Sequence, residues 1–126
     1  MSNEFQKPPR SWYVKFRDAF RGVIQGVRGQ SSFAVHFICA ALVVLLGAYL
    51  GINWMEWSLL VTCIFAVLTA EMFNSALETL AKAIDTRHNP HLADGLNLAS
   101  SAVLLSSIGA VIVGVIVFAG RLIQLL

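Results

Sequence analysis

From residue 33 to residue 52 the chain reads FAVHFICAALVVLLGAYLGI, and His36 is the only side chain in that run able to carry charge near neutral pH. A helix rises about 1.5 Å per residue, so about 20 residues cover the ~30 Å hydrocarbon core of a bilayer. The surrounding chain offers little to solvate such a run in water. It has 126 residues, 57% hydrophobic and 13% charged, where an ordinary soluble domain carries roughly 25% charged residues. A small domain has a high surface-to-volume ratio and needs more polar cover than this. These figures exclude a soluble globular domain, a disordered chain and a disulfide scaffold. They leave a small integral membrane protein. Cys39 and Cys63 lie inside apolar runs and read as small buried side chains with no disulfide role.

The rest of the chain divides around that first span. Gly51 to Asn53 form a short turn, and Asn53 with Glu56 three residues on has the pattern of a capping box. A second helix is expected over 54–84. Its uninterrupted apolar stretch, Trp57 to Ala70, is short, and Glu71, Asn74 and Glu78 follow while the helical pattern continues. The helix therefore crosses a membrane and projects beyond it. Residues 85–95 read as a polar loop broken by Pro90, and 96–120 as a third span. Ahead of the spans, 1–10 contain Pro8 and Pro9 and read as a flexible tail. Residues 11–28 read as an amphipathic helix. Trp12, Phe16, Phe20, Val23 and Val27 share one stripe, and Arg17, Arg21 and Arg28 stand away from it. That arrangement suits a helix lying in the membrane interface. A first apolar run that starts only near residue 33 does not fit a signal peptide. The expected fold is all-α: a tail, then one membrane domain over 11–126 with an interfacial helix and three transmembrane helices.

Charge sets an orientation. Eight of the nine Lys and Arg residues fall in the N-terminal segment or in 82–95, and three spans put those segments on one side. The positive-inside rule makes that side cytoplasmic, with the 51–56 turn and the C-terminus outside. Trp54 and Trp57 read as interface anchors at the outer end of the second span. Ala102, Ser106, Ala110 and Gly114 recur every four residues on the third span, a spacing that lets helix backbones approach closely in lipid. Three spans bury few polar groups alone, so the chain is expected to oligomerise.

The chemistry is concentrated in the stretch Glu71-Met72-Phe73-Asn74-Ser75-Ala76-Leu77-Glu78. Glu71, Asn74 and Glu78 stand at i, i+3 and i+7, on one helix face. Carboxylates at membrane depth are expensive and mark function by default. Two carboxylates and an amide could bind a hard cation such as Mg²⁺, or supply a general base for a hydroxyl. A structural role is the alternative: Glu78 can pair with Lys82 one turn on, and Asn74 can join helices. His36 is expected to hydrogen-bond a neighbouring helix. His88 and His91 have no further His or Cys nearby to complete a transition-metal site and read as loop residues.

The run EMFNSALE resembles the signature of the small prokaryotic integral-membrane lipid kinases, the diacylglycerol kinase and undecaprenol kinase family. The resemblance spans nearly the whole chain. It takes in the amphipathic N-terminal helix, Phe33 and His36 at the start of the first span, the short first turn and the Ala/Ser-rich opening of the third span, Ala99 to Leu104. It implies a homotrimer in the prokaryotic cytoplasmic (inner) membrane, with active sites between subunits at the cytoplasmic surface. ATP is the implied co-substrate, Mg²⁺ the implied cofactor, and a membrane lipid alcohol, diacylglycerol or undecaprenol, the implied acceptor. By position Glu71 is the implied general base and Glu78 the Mg²⁺ ligand. Asn74 and, more weakly, Gln30 are the supporting ligands. Arg17, Arg21, Glu78, Lys82, Arg87 and Asn97 are the implied nucleotide contacts, and Phe33 and Ser100 the lipid contacts. No GxxxxGK[ST] run occurs, so the nucleotide site is of the family's own kind.

Four positions depart from the family pattern. Gln30 stands where a metal-binding Glu is usual, and Lys82 where an Asp is common. Leu96 and Asn97 replace a Lys-Asp pair expected near the nucleotide. A second reading follows from these changes: a non-kinase on the same scaffold that binds a lipid or hydrolyses a lipid phosphate. A channel or transporter subunit fits less well, because no second intramembrane charge lies along a route across the bilayer.

Overall fold

The computed structural model describes residues 9–29 and 31–126. Four helices follow in chain order: α1, Trp12–Gly29; α2, Ser31–Leu50; α3, Trp54–Ile84; and α4, Pro90–Leu125. Gln30, expected as a weak metal ligand, lies outside the described residues, as does most of the tail expected over 1–10. Helices α2, α3 and α4 are each long and apolar enough to cross a membrane. The chain reverses between them. The α1 helix and the 85–89 loop therefore share one end of the bundle, the basic end, and the 51–53 turn and the C-terminus share the other. With 31 and 36 residues, α3 and α4 are about 46 and 54 Å long. Both exceed a hydrocarbon core, and the surplus of α3 carries the polar face from Glu71 onward.

The short turn is built as its sequence predicts. The Glu56 amide donates to Asn53 Oδ1 at 2.8 Å, and the Asn53 amide donates to Glu56 Oε1 at 3.0 Å, which closes the capping box. Gly51 sits at φ +64°, a left-handed conformation that glycine adopts without a Cβ clash. At this end Leu50, Ile52, Leu60 and Val117 form the packed core, with Val43, Trp57, Val113 and Phe118 against it. Arg121 Nη2 donates to Glu56 Oε1 at 3.0 Å, and both side chains are about one-fifth exposed. One carboxylate thus caps α3 and ties it to the end of α4.

The third membrane helix differs from expectation at its start. It begins at Pro90, six residues ahead of the expected 96, and runs to Leu125. Asn89 is its N-cap, with Oδ1 accepting from the His91 and Leu92 amides at 3.0 and 3.4 Å. Pro90 occupies the first helical position, where its missing N–H costs nothing. The proline that reads as a breaker inside a loop is therefore a helix start, and the loop shrinks to 85–89. His91 stands in the first turn of α4, not in a loop. The small-residue stripe on α4 is not in tight contact within the chain. A Cβ added at Gly114 would meet no atom within 4 Å, and Ala110 and Gly114 border an open apolar cleft of about 640 Å³ between α2, α3 and α4. Most large apolar side chains of the spans face outward, among them Val35, Ile38, Leu42, Leu45, Phe65 and Ile112.

Candidate functional site

Helix α3 turns one stripe inward: Leu60, Val67, Glu71 and Ser75 are buried. Glu71 continues this stripe, so its carboxylate faces protein and not lipid. It is 3% exposed. Both oxygens meet α2. Ser32 Oγ donates a hydrogen bond to Glu71 Oε1, and His36 Nε2 stands 3.5 Å from Glu71 Oε2. Ser32 and His36 are one helical turn apart and project from the same face of α2. The expectation that His36 reaches a neighbouring helix thus acquires a named partner, at ion-pair range and slightly beyond a good hydrogen bond. Ser32 was not singled out by sequence reasoning. Its signal was the i, i+4 spacing to the one chargeable residue of the first span.

One and two turns nearer the basic end stand Asn74 and Glu78. Asn74 Nδ2 donates to Glu78 Oε1 at 3.1 Å. Only the amide nitrogen can donate to a carboxylate, which fixes the orientation of the amide group. Asn74 Oδ1 is then left buried without a partner. Such a group costs about 1–3 kcal/mol unless something else meets it. Hard oxygen donors of this kind suit Mg²⁺, which takes one or two carboxylates together with substrate phosphates and water. Among the described residues no three His, Cys, Asp or Glu side chains converge on a metal position. The protein therefore offers Asn74 and Glu78 as a partial donor set. Ser75 Oγ is also buried without a partner.

The expected nucleotide contacts are spread over three helices and a loop at the basic end. Arg17 and Arg21 are exposed on α1, Lys82 near the end of α3, Arg87 in the loop and Asn97 on α4. Among the described residues no hydrogen bond or ion pair joins any of them to Glu71, Asn74 or Glu78. The alternative pairing of Glu78 with Lys82 is likewise not formed among the described residues; Glu78 Oε1 accepts from Asn74 instead. Arg87 is turned to Asp85, with Nε 3.4 Å from Oδ1. The Arg87 backbone amide holds the Asp85 carboxyl below its ordinary range, and the side chain adds to this. Asp18 on α1 is held low chiefly by its hydrogen bond from Arg10 at 2.7 Å, with Arg17 and Arg21 adding to the effect.

Of the two expected lipid contacts, Ser100 is exposed on α4, whereas Phe33 is buried at 1% exposure. Phe33 lies beneath α1 and lines an apolar groove of about 380 Å³ with Val23, Val27 and Met72. Gly26 permits this packing: a Cβ there would come within 2.8 Å of Met72 Sδ.

The family model for prokaryotic diacylglycerol kinase matches residues 17–118. The undecaprenol kinase of Bacillus subtilis is 23% identical over 121 residues, covering 96% of this chain and 98% of that protein. A diacylglycerol kinase of Helicobacter pylori is 26% identical over 113 residues, covering 84% of this chain and 87% of that protein. The chain belongs to the prokaryotic diacylglycerol kinase family and is a membrane protein of the lipid-kinase type.

Proposed function

We propose that this member of the prokaryotic diacylglycerol kinase family transfers the γ-phosphate of ATP to the hydroxyl of a membrane lipid alcohol, diacylglycerol or undecaprenol. The observation that carries the reading is one helix face. It sets a carboxylate at 3% exposure, Glu71, one turn from the unpartnered oxygen of Asn74 and two turns from Glu78. Glu71 takes the proton from the lipid hydroxyl as that oxygen attacks the γ-phosphorus and the bond to ADP breaks. In phosphoryl transfer the protein mainly positions the reactants and balances charge; the buried base would position the acceptor hydroxyl, and the oxygen donors would hold the cation that balances charge. Asn74 and Glu78 would hold Mg²⁺, with Gln30 as the third ligand suggested by position. When bound, the ion neutralises charge on the ATP phosphates.

The remaining assignments follow the same reading. Lys82 stands one turn beyond Glu78 with no ion pair among the described residues, and it is the cation best placed to meet phosphate from α3. Arg17, Arg21, Arg87 and Asn97 would complete the nucleotide contacts around the basic end, with Ser100 exposed to the lipid and Phe33 reached by it only through the apolar groove beneath α1. The aromatic stripe of α1, with Trp12, Phe16 and Phe20 exposed, supports its placement in the interface. Lys15 Nζ over the Trp12 ring at 4.6 Å keeps a cation at the level of that stripe. The basic end is cytoplasmic, the C-terminus is outside, and the membrane is the inner one. The open α4 stripe at Gly114 and the outward apolar side chains support a homotrimer with sites between subunits.

Transfer of labelled γ-phosphate from Mg-ATP by the purified protein, with diacylglycerol and undecaprenol offered side by side, tests this. Labelled product with either lipid is the expected result and names the acceptor. Among the described residues no Lys or Arg stands within ion-pair distance of Glu71, Asn74 or Glu78, and this favours the second reading, a lipid binder or lipid-phosphate hydrolase. Folded oligomeric protein that transfers nothing to either lipid would select it.

A further inference from the structure

We infer that Ser32 and His36 form a two-point clamp that orients the Glu71 carboxylate, and that they are positioning residues for proton removal from the acceptor. The inference rests on the reading of Glu71 as the base. A glutamate has several freely rotating side-chain bonds, and holding it in one rotamer costs conformational entropy that some contact must offset. In the apolar stripe of α3 no water shell fixes it. Here Oε1 accepts from Ser32, and Oε2 faces His36 Nε2 at 3.5 Å. Both partners rise from one face of α2, so a single rigid element sets the direction of the carboxylate.

The chemistry of the partners matters. A Lys or Arg in contact would pin the carboxylate equally well, but its permanent charge would stabilise the anion and weaken it as a base. A hydroxyl donor orients one oxygen without placing a charge beside it. His36 is the only potential cation within ion-pair distance of Glu71 among the described residues. The two contacts are also unequal. Oε1 accepts the Ser32 hydrogen bond, whereas Oε2 has only the 3.5 Å contact to His36. Oε2 is therefore the oxygen with a lone pair free for the lipid hydroxyl, and His36 steers it. His36 also lines the 640 Å³ apolar cleft between α2, α3 and α4. A misplacement of about 1 Å costs up to about a hundredfold in rate.

The test compares His36→Leu, His36→Gln, Ser32→Ala and Glu71→Gln in the phosphoryl-transfer assay, each purified as the full chain with its oligomeric state checked. Leu fills the imidazole volume with no donor, and Gln returns a nitrogen near the position of Nε2. The expected result is a kcat lowered about tenfold to a hundredfold in His36→Leu and largely restored in His36→Gln. Ser32→Ala should show a smaller loss, and KM for ATP should not change in any of these three. His36→Gln no better than His36→Leu, or His36→Leu as fast as wild type, overturns the clamp. If His36→Leu does not assemble, Ser32→Ala decides: unchanged kcat overturns the inference. Glu71→Gln separates the two claims. If that variant keeps full activity, the reading of Glu71 as base fails. If it is inactive while the clamp variants are normal, only the clamp fails.

Discussion

Asn74 shows how one side chain separates function from stability. Its nitrogen is satisfied by Glu78 and its oxygen is buried without a partner. Asn74→Leu removes a buried unpartnered oxygen, which favours the fold, and the hydrogen bond to Glu78, which opposes it, and should therefore change thermal stability little. It should raise the Mg²⁺ concentration needed for half-maximal transfer about tenfold, as one oxygen donor is lost from a metal that takes few protein ligands. Titrating Mg²⁺ against activity checks this, and an unchanged requirement would assign Asn74 to packing. A second residue-scale prediction concerns Asp18. Its carboxyl sits below the ordinary value of 3.8, chiefly through the Arg10 hydrogen bond. A lowered acid of this kind contributes above its ordinary value and loses its contribution as pH falls through the lowered one. Arg10→Ala should move the Asp18 titration midpoint upward, read by NMR of the labelled carboxyl, with no effect on α3 or α4. At this scale the sequence showed which carboxylates were out of place in a membrane. It did not show that Ser32 and His36 would meet Glu71, because that contact depends on the rotation of α2 against α3.

Helix ends carry the next set of consequences. Asn53 and Glu56 announced their capping box by spacing alone, because a cap is local and its residues are three apart. Asn89-Pro90 carried an equally local signal. It reads as a loop because the polar run 85–95 has no apolar periodicity to mark where the helix begins. The structure resolves the ambiguity through Asn89 Oδ1, which meets two amides of the first turn. Asn89→Ala should cost about 1 kcal/mol and leave the apolar part of α4 intact, measurable as loss of amide protection confined to 90–95. At the other end, Gly51 at φ +64° predicts that Gly51→Ala costs about 1–2 kcal/mol although nothing surrounds its Cβ position.

In the molecule as a whole, the three spans and the sidedness of charge were legible because bilayer thickness and basic-residue bias act on the chain as a sum. Arg121 was the one basic residue outside that pattern. The structure accounts for it by a pairing with Glu56 across 65 residues of sequence, which no local reading finds. Arg121→Met should loosen the far end of the bundle by about 1–3 kcal/mol, lowering the melting temperature in detergent while kcat stays near wild type. The site lies near the opposite end of the spans, and a large loss of kcat would show that the two ends are coupled. The central claim is that Glu71 serves a transfer reaction and not merely the packing of α2 on α3. Its most direct test is the rate of γ-phosphate transfer from Mg-ATP to lipid by Glu71→Gln beside wild type. The substitution keeps shape and hydrogen bonding but removes the base. Abolished transfer from a variant that folds and oligomerises like wild type is the predicted result. Transfer at the wild-type rate would contradict the account.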